Sequence, residues 1–312
     1  MQQESLAELL TREQGKPLSQ SREEIVRAAS LSEGMAAIPI EPEVLVENAQ
    51  RHVELHYFPL GVVGIITPWN APINLAPGPL TMALYTGNTA VLKPSPYTPL
   101  CTLKLGELLR DIFPAGVVNI LAGGDDCGQW MSEHPGIDKI SFTGSVASGK
   151  KVMASAAATR KRIYAHERAL GLLEDSRHRG GHILAGGEVA PGPGYFIAPT
   201  MITDLPEDAR LIKEEQFGPL LPVLRFSDVE DAIRRANDTR YGLAASVWSS
   251  DIERATAVAL RLEVGTAWVN QHRATAANVP FGGVKESGIG CNYAELGLKG
   301  NMEARVISVL KA

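Results

Sequence analysis

An α/β fold organised around a parallel sheet is the architecture that this 312-residue sequence predicts. Three observations carry that expectation. Short Val/Ile-rich runs recur between residues 61 and 158, each followed by a Gly/Pro/Ser loop and then an amphipathic segment. Strands alternating with helices in this way are the pattern of βαβ units. The composition, 45% hydrophobic and 21% charged, is that of a globular chain long enough for one large or two ordinary domains. Finally, no apolar stretch reaches the length of a membrane span.

The elements follow in order. Residues 61–66 read as a strand ending in Thr67-Pro68-Trp69-Asn70, and residues 89–92 as a second ending in Lys93-Pro94-Ser95-Pro96. Leu100, Leu103, Leu105, Leu108, Leu109 and Ile112 have helical spacing. Residues 117–121 form a third strand ending in Gly123-Gly124, and residues 139–142 a fourth ending in Thr143-Gly144-Ser145. An Ala/Lys-rich helix is expected over 148–158. Further on, strand-like runs at 182–184, 267–270 and 305–310 alternate with helices at 229–237 and 252–262. Asp251 is placed to cap the latter and Gly265 to stop it. The run Pro191-Gly192-Pro193-Gly194 reads as a turn. In parallel sheets ligands sit beyond the carboxyl ends of the strands. That places Asn70, Lys93, Gly123 and Ser145 on one rim.

Charge and cysteine usage narrow the partners. Thirty basic against thirty-five acidic residues give a net charge of −5, which speaks against nucleic acid and anionic membrane surfaces. The polar start Met1-Gln2-Gln3-Glu4-Ser5 has no secretory pattern, so a cytoplasmic protein is expected. Cys101, Cys127 and Cys291 are too few and too scattered for a disulfide framework or a zinc site, and no metal is expected.

Several motifs carry chemistry, and each has a plainer alternative. The loop Phe142-Thr143-Gly144-Ser145-Val146-Ala147-Ser148-Gly149 offers a glycine for close approach and a helix N-terminus for a phosphate; it is equally a simple βα turn. Lys93 is placed to reach a ribose hydroxyl or phosphate, or to snorkel off a strand end. Asn70 is an oxyanion donor or a turn asparagine. The pair Glu214-Glu215, ahead of Gln216-Phe217-Gly218-Pro219, is an acid/base site or a solvated charge pair. Residues 280–288, Pro-Phe-Gly-Gly-Val-Lys-Glu-Ser-Gly, are a pocket wall or an irregular connection.

Taken together and in order, these motifs resemble the NAD(P)-dependent aldehyde dehydrogenase superfamily. The resemblance rests on Ile-Thr-Pro-Trp-Asn (66–70), Gly-Asn-Thr-Ala-Val-Leu-Lys-Pro-Ser (87–95), Phe-Pro-Ala-Gly-Val-Val-Asn (113–119), Phe-Thr-Gly-Ser (142–145) and the 214–219 and 280–288 segments. Gln14-Gly15-Lys16-Pro17, Asn237-Asp238-Thr239-Arg240-Tyr241-Gly242-Leu243 and Gly265-Thr266-Ala267-Trp268-Val269-Asn270 add to it.

The resemblance implies an aldehyde-dehydrogenase-like fold, with a Rossmann-type cofactor domain, a shortened α/β catalytic domain and a terminal oligomerisation strand. Residues 1–160 are expected as the cofactor domain, 161–290 as the catalytic remnant, and 291–312 as a terminal helix and strand. By resemblance Asn70 is the oxyanion amide. Pro68, Trp69 and Lys93 line the adenosine side of an NAD or NADP cleft, and Gly123, Gly144, Ser145 and Ser148 adjoin adenine and pyrophosphate. Glu215 and Phe217 hold the nicotinamide ribose and ring, and Phe281 faces the aldehyde tunnel. The strand at 304–310, with the stretch before Gly61, is expected as an arm pairing across subunits of a homo-oligomer or with longer relatives. Pro96 stands where many members of the family place a ribose-binding glutamate, so NAD and NADP both stay open.

Two groups that the family's chemistry needs are missing from this pattern. The family attacks the aldehyde with a cysteine thiolate and hydrolyses the thioester with a glutamate base. No cysteine stands between Gly128 and Gly290, and no Leu-Glu-Leu-Gly-Gly-like strand follows the 142–149 loop. The chain runs from Ala158-Thr159-Arg160 into Lys161-Arg162-Ile163-Tyr164-Ala165-His166-Glu167, which resembles the family strand beyond the cysteine. A second join is expected near Arg168-Ala169, where residues 169–175 resemble a much later helix of the family. Against family length, about eighty residues are absent between Gly149 and Glu215, and about eighty before the start. The expectation is an oxidoreductase of this family with impaired catalysis; the alternative is a non-catalytic NAD(P)-binding or oligomer-forming subunit.

Overall fold

The computed structural model describes residues 2–145, 148–150, 152, 165–189 and 197–311. The expected joins at 159–161, the 191–194 turn and most of the 148–158 helix lie outside the described residues. The chain divides into two compact units, one formed by Met1–Arg160 with Tyr241–Ala312 and the other by Lys161–Arg240. The stretch 241–290, expected with the catalytic remnant, therefore packs with the first unit. It does so through its contacts with the second helix, where Arg27 donates to the carbonyl of Arg273 and to Thr275 Oγ1, both at 2.7 Å.

The first unit begins with α1 (Gln2–Gln14) and α2 (Leu18–Ala36), followed by β1 (Glu43–Glu47) and β2 (Arg51–Pro59). Next come β3 (Val62–Ile66), α3 (Pro72–Leu75), α4 (Pro77–Tyr85), β4 (Thr89–Lys93) and α5 (Leu100–Leu109). After these are β5 (Val118–Ile120), α6 (Asp125–Glu133) and β6 (Lys139–Phe142). β3 to β6 pair in parallel in the order β5-β4-β3-β6. The chain steps outward from β3 to β5 and then returns to the other side of β3. That reversal opens a crevice between β3 and β6 at the carboxyl ends of the strands.

Both faces of this sheet are covered, which is why its strands read as continuous apolar runs. Val63, Ile65, Ala90 and Leu92 bury themselves against Ala76, Leu80 and Ala83. On the other face Gly64 meets Ile140 and Ile137, and a Cβ there would stand 2.7 Å from Ile140 Cδ1. α5 buries Cys101 and Thr102, leaves Leu100 exposed and holds Leu103, Leu105, Leu108 and Leu109 half-buried, while Ile112 lies past its end and is exposed.

The remainder of this unit holds β10 (Ala244–Val247), β11 (Thr266–Val269), β12 (Phe281–Gly282), β13 (Cys291–Asn292) and β14 (Met302–Leu310). The helix after β10 spans Ile252–Ala259, with Asp251 accepting from the amide of Arg254, and stops short of the expected Leu262. Gly265 lies past its end and serves a close approach instead: a Cβ there would sit 1.9 Å from the carbonyl oxygen of Gly282.

The second unit contains a helix at Ala165–His178, β7 (His182–Ala185), β8 (Thr200–Thr203), a short helix at Arg210–Lys213, β9 (Leu220–Pro222) and a helix at Val229–Asn237. Of the strand expected across residues 161–167, the part from Ala165 is helical instead, and residues 161–164 lie outside the described residues. The sequence Ala165–His178 is rich in Ala, Leu, Glu and Arg, which are strong helix formers. Ala169, Leu172, Leu173 and Ser176 fall on one side of that helix and are buried. They pack with Ile202, Leu211 and Leu220 from the strands and the short helix.

β14 lies antiparallel along β2, with Met302 opposite Pro59 and Leu310 opposite Arg51, and β1 covers the other side of β2. On one face of this arm His52, Glu54 and His56 form a ladder. Glu54 bonds His52 at 2.9 Å and His56 at 2.8 Å, while His52 also pairs with Glu47, which Lys311 holds in turn. Both carboxylates hold the His52 imidazole above its usual range, and the imidazoles and lysine hold Glu47 and Glu54 below theirs. The histidine's contribution is complete below its unfolded value of 6.5 and is lost as pH rises through its folded value. The glutamates contribute above 4.5 and lose that contribution as pH falls through their folded values. The ladder should therefore hold the arm best between these two limits. An NMR titration should place the His52 pKa above 6.5, and a value at or below that number would refute the account.

Candidate functional site

The rim of the four-stranded sheet is laced at its carboxyl edge. The amide of Thr67 donates to the carbonyl of Lys93 at 3.2 Å, that of Thr143 to Ile66 at 3.0 Å, and that of Leu121 to Leu92 at 2.9 Å. These bonds bring Pro68, Trp69, Asn70, Lys93, Gly123, Gly144 and Ser145 to one edge of one sheet, as the sequence pattern placed them. Asn70 is exposed, and its side-chain amide makes no hydrogen bond among the described residues. Trp69 and Pro68 are half-buried beside it.

Lys93 is 4% exposed. Its ammonium donates to the carbonyl of Pro94 at 3.1 Å, and its stem lies against Gly128 in α6. Burial holds this ammonium below the usual lysine range, opposed by Cys127 and Asp125 nearby. A charged group so desolvated at a strand end is poised for an acceptor-rich ligand.

Two glycines are required by the packing of the rim itself. At Gly123 a Cβ would collide with the Cβ of Cys127 at 2.6 Å, and at Gly144 with Phe142 Cζ at 2.5 Å. At Gly124, the residue before α6, an added Cβ meets nothing within 4 Å, so the backbone there faces open space. Ser145 accepts from the amide of Ser148 at 3.1 Å and donates to its hydroxyl at 2.9 Å, capping the helical residues 148–150. Asp125 and Asp126 occupy the first turn of α6 and offset the positive end of its dipole. A phosphate is therefore favoured at the Ser145 turn, and ribose hydroxyls suit the acids of α6. The donors, the acids and the open backbone fit a dinucleotide.

Three further residues sit elsewhere. Glu215 and Phe217 belong to the second unit. Glu215 is half-buried, and Phe217 is 43% exposed on a backbone with φ of 43°, a left-handed conformation rare for a bulky residue. Phe281, in the first unit, packs against the cluster of Leu31, Met35, Met82, Tyr293 and Leu298 and stacks on Trp268 at 6.4 Å.

The three cysteines occupy distinct places. Cys101 is fully buried in α5, and burial beside Glu13 drives its thiol far above the usual range. Cys291 lies near Lys139, whose Cα partner in β3 is Val63; the rim begins beyond Ile66. Cys127 sits in the first turn of α6, on the face where Lys93 lies, whereas α3 and α4 after Asn70 pack on the other face.

Several residues that shape the rim carry no site signal in the sequence reading. Lys16 donates to the carbonyl of Asn70 at 3.2 Å and pairs with Glu24. Thr98 Oγ1 donates to the carbonyl of Trp69 at 3.2 Å. The Gln14–Pro17 motif marks the place of Lys16 but says nothing of its partner.

The model of the aldehyde dehydrogenase family matches residues 1–167 and 164–307. The chain belongs to the aldehyde dehydrogenase family. The aldehyde dehydrogenase of Agaricus bisporus is 34% identical to it, covering 86% of this chain and 70% of that protein. Aldehyde dehydrogenase LUC3 of Fusarium sp is 30% identical over 383 residues, covering 97% of this chain and 82% of the relative. Among solved structures, the NAD+ complex of an aldehyde dehydrogenase from Bacillus cereus has a TM-score of 0.93 and 29% identity, covering 99% of this chain and 80% of that one. The 383 aligned residues exceed the 312 of this chain, so part of LUC3 has no counterpart here.

Proposed function

We propose that this aldehyde dehydrogenase family chain binds NAD or NADP on the β3–β6 rim but is impaired in oxidising aldehydes. The observation that carries the reading is the two-part family match, whose segments meet at residues 164–167. In family order the nucleophile and the general base fall in that interval. The LUC3 comparison also leaves part of that relative without a counterpart here, and Cys101, Cys127 and Cys291 all stand outside that interval.

On this reading Pro68, Trp69 and Lys93 line the adenosine side, and Gly123, Gly144, Ser145 and Ser148 adjoin adenine and pyrophosphate. Glu215 and Phe217 contact the nicotinamide ribose and ring, and Phe281 borders the aldehyde. When bound, the dinucleotide supplies a hydride acceptor. Asn70 supplies an oxyanion donor, but no thiolate stands in place to form the covalent adduct from which hydride would leave.

Calorimetric titration with NAD+ and with NADP+ tests the binding half. At least one should bind with a Kd of about 1 μM to 1 mM, the range usual for such substrates. Absence of heat from both at millimolar concentration would overturn it.

A second reading, an oligomer-forming subunit, is favoured by the arm. β14 is an edge strand, and Val306, Ile307, Val309 and Leu310 are exposed along it.

A further inference from the structure

We propose that the turn joining α1 to α2 is a positioning clamp for the dinucleotide rim, with Lys16 as its grip and Glu13 and Glu24 as its anchors. The proposal rests on the rim being the dinucleotide site.

The two helices that follow the rim loops begin without caps of their own. The residue before α3 is Ala71 and the residue before α5 is Pro99, and neither supplies a side-chain acceptor. The free amides of a helix start need partners when water is excluded. Here the partners come from far back in the chain. Glu24, with 8% of its side chain exposed, accepts from the amides of Ile73 at 2.9 Å and Asn74 at 3.1 Å. Glu13 accepts from the amides of Leu100 at 2.7 Å and Cys101 at 3.0 Å. One short stretch of chain thus fastens the loop after β3 and the loop after β4, and Thr98 ties the two loops to each other.

Lys16 gives the clamp a direction. Its ammonium, 13% exposed, neutralises the otherwise uncompensated carboxylate of Glu24 and also grips the carbonyl of Asn70. Gln14 reaches the same carbonyl at 3.5 Å. A grip on the backbone fixes the orientation of the peptide after Asn70 and leaves the Asn70 amide available for a ligand. Removing both charges of a buried pair together avoids the penalty of one left uncompensated. Loss of the carbonyl grip should therefore show in the position of the loop rather than in the melting of the fold.

The test compares wild type, Lys16→Met, Lys16→Arg and the double variant Lys16→Met with Glu24→Gln, which removes the carboxylate charge but keeps an acceptor for the Ile73 and Asn74 amides. Two readouts are needed: NAD+ and NADP+ titration, and amide exchange at residues 69–74 against the β3–β4 ladder. Lys16→Met and the double variant should bind the dinucleotide about tenfold more weakly. They should exchange about tenfold faster at 69–74, with the ladder unchanged. Lys16→Arg should recover both. Wild-type affinity in Lys16→Met, or loosening shared equally by the ladder, would overturn the clamp. If wild type binds neither dinucleotide, the binding reading falls by itself, and the exchange at 69–74 still decides whether Lys16 positions the loop.

Discussion

Mixed with an aldehyde and NAD+ or NADP+, the purified chain should form reduced cofactor at least about ten-thousandfold more slowly than its longer relatives. Removing the nucleophile from a covalent enzyme costs factors of that order or more, and what remains comes from binding and oxyanion stabilisation. Here the nucleophile and the base are expected to be lost together. Their losses should not add, because neither acts without the other. Absorbance at 340 nm over a range of aldehydes measures the rate directly. Inserting the corresponding segment of a longer relative between residues 160 and 169 should restore turnover, since the Asn70 side of the centre is retained. Turnover by the unmodified chain at the rate of its relatives would defeat the proposal. In that event, serine variants of Cys101, Cys127 and Cys291 would identify which thiol acts.

The rim was legible in the sequence because of how parallel strands are buried. With both faces covered, residues 62–66 and 90–92 must be apolar throughout, and the first polar residues after them mark their carboxyl ends. The capping aspartate Asp251 is equally local, accepting from the amide three residues on. What escaped acts at a distance. Lys16 meets Asn70 across 54 positions, and Glu13 meets Cys101 across 88. Within its own neighbourhood each is only a polar residue at a helix end. The helix at Ala165–His178 was expected over residues 169–175, and only its first turn was read otherwise. The family pattern gave residues 161–167 a strand, but from Ala165 the local helix propensity and the buried stripe of Ala169, Leu172 and Leu173 decide otherwise.

Replacing Asn88 by alanine should destabilise the first unit by about 3 kcal/mol, because it removes the partners of the Gly61 amide and the Asn301 carbonyl, at about 1–3 kcal/mol each. Asn88 is 3% exposed. Its Oδ1 accepts from the amide of Gly61 at 2.8 Å, just before β3. Its Nδ2 donates to the carbonyl of Ala83 at 3.3 Å, to Thr86 Oγ1 at 2.9 Å and to the carbonyl of Asn301 at 3.0 Å, just before β14. For a unit of this size the loss corresponds to a fall in Tm of roughly 6–12 °C. A calorimetric melt checks it, and a shift within about 1 °C would show that water or rearrangement replaces the network. The effect should also be directional. Asn301 is held from its other side by Lys139, which donates to its Oδ1 at 2.9 Å and to the carbonyl of Gly300 at 2.6 Å. These bonds fasten the arm to the amino edge of the sheet, the edge away from the rim. Asn88→Ala should therefore speed amide exchange in β14 more than at residues 67–70, because the rim is held at the opposite edge by Lys16 and Thr98.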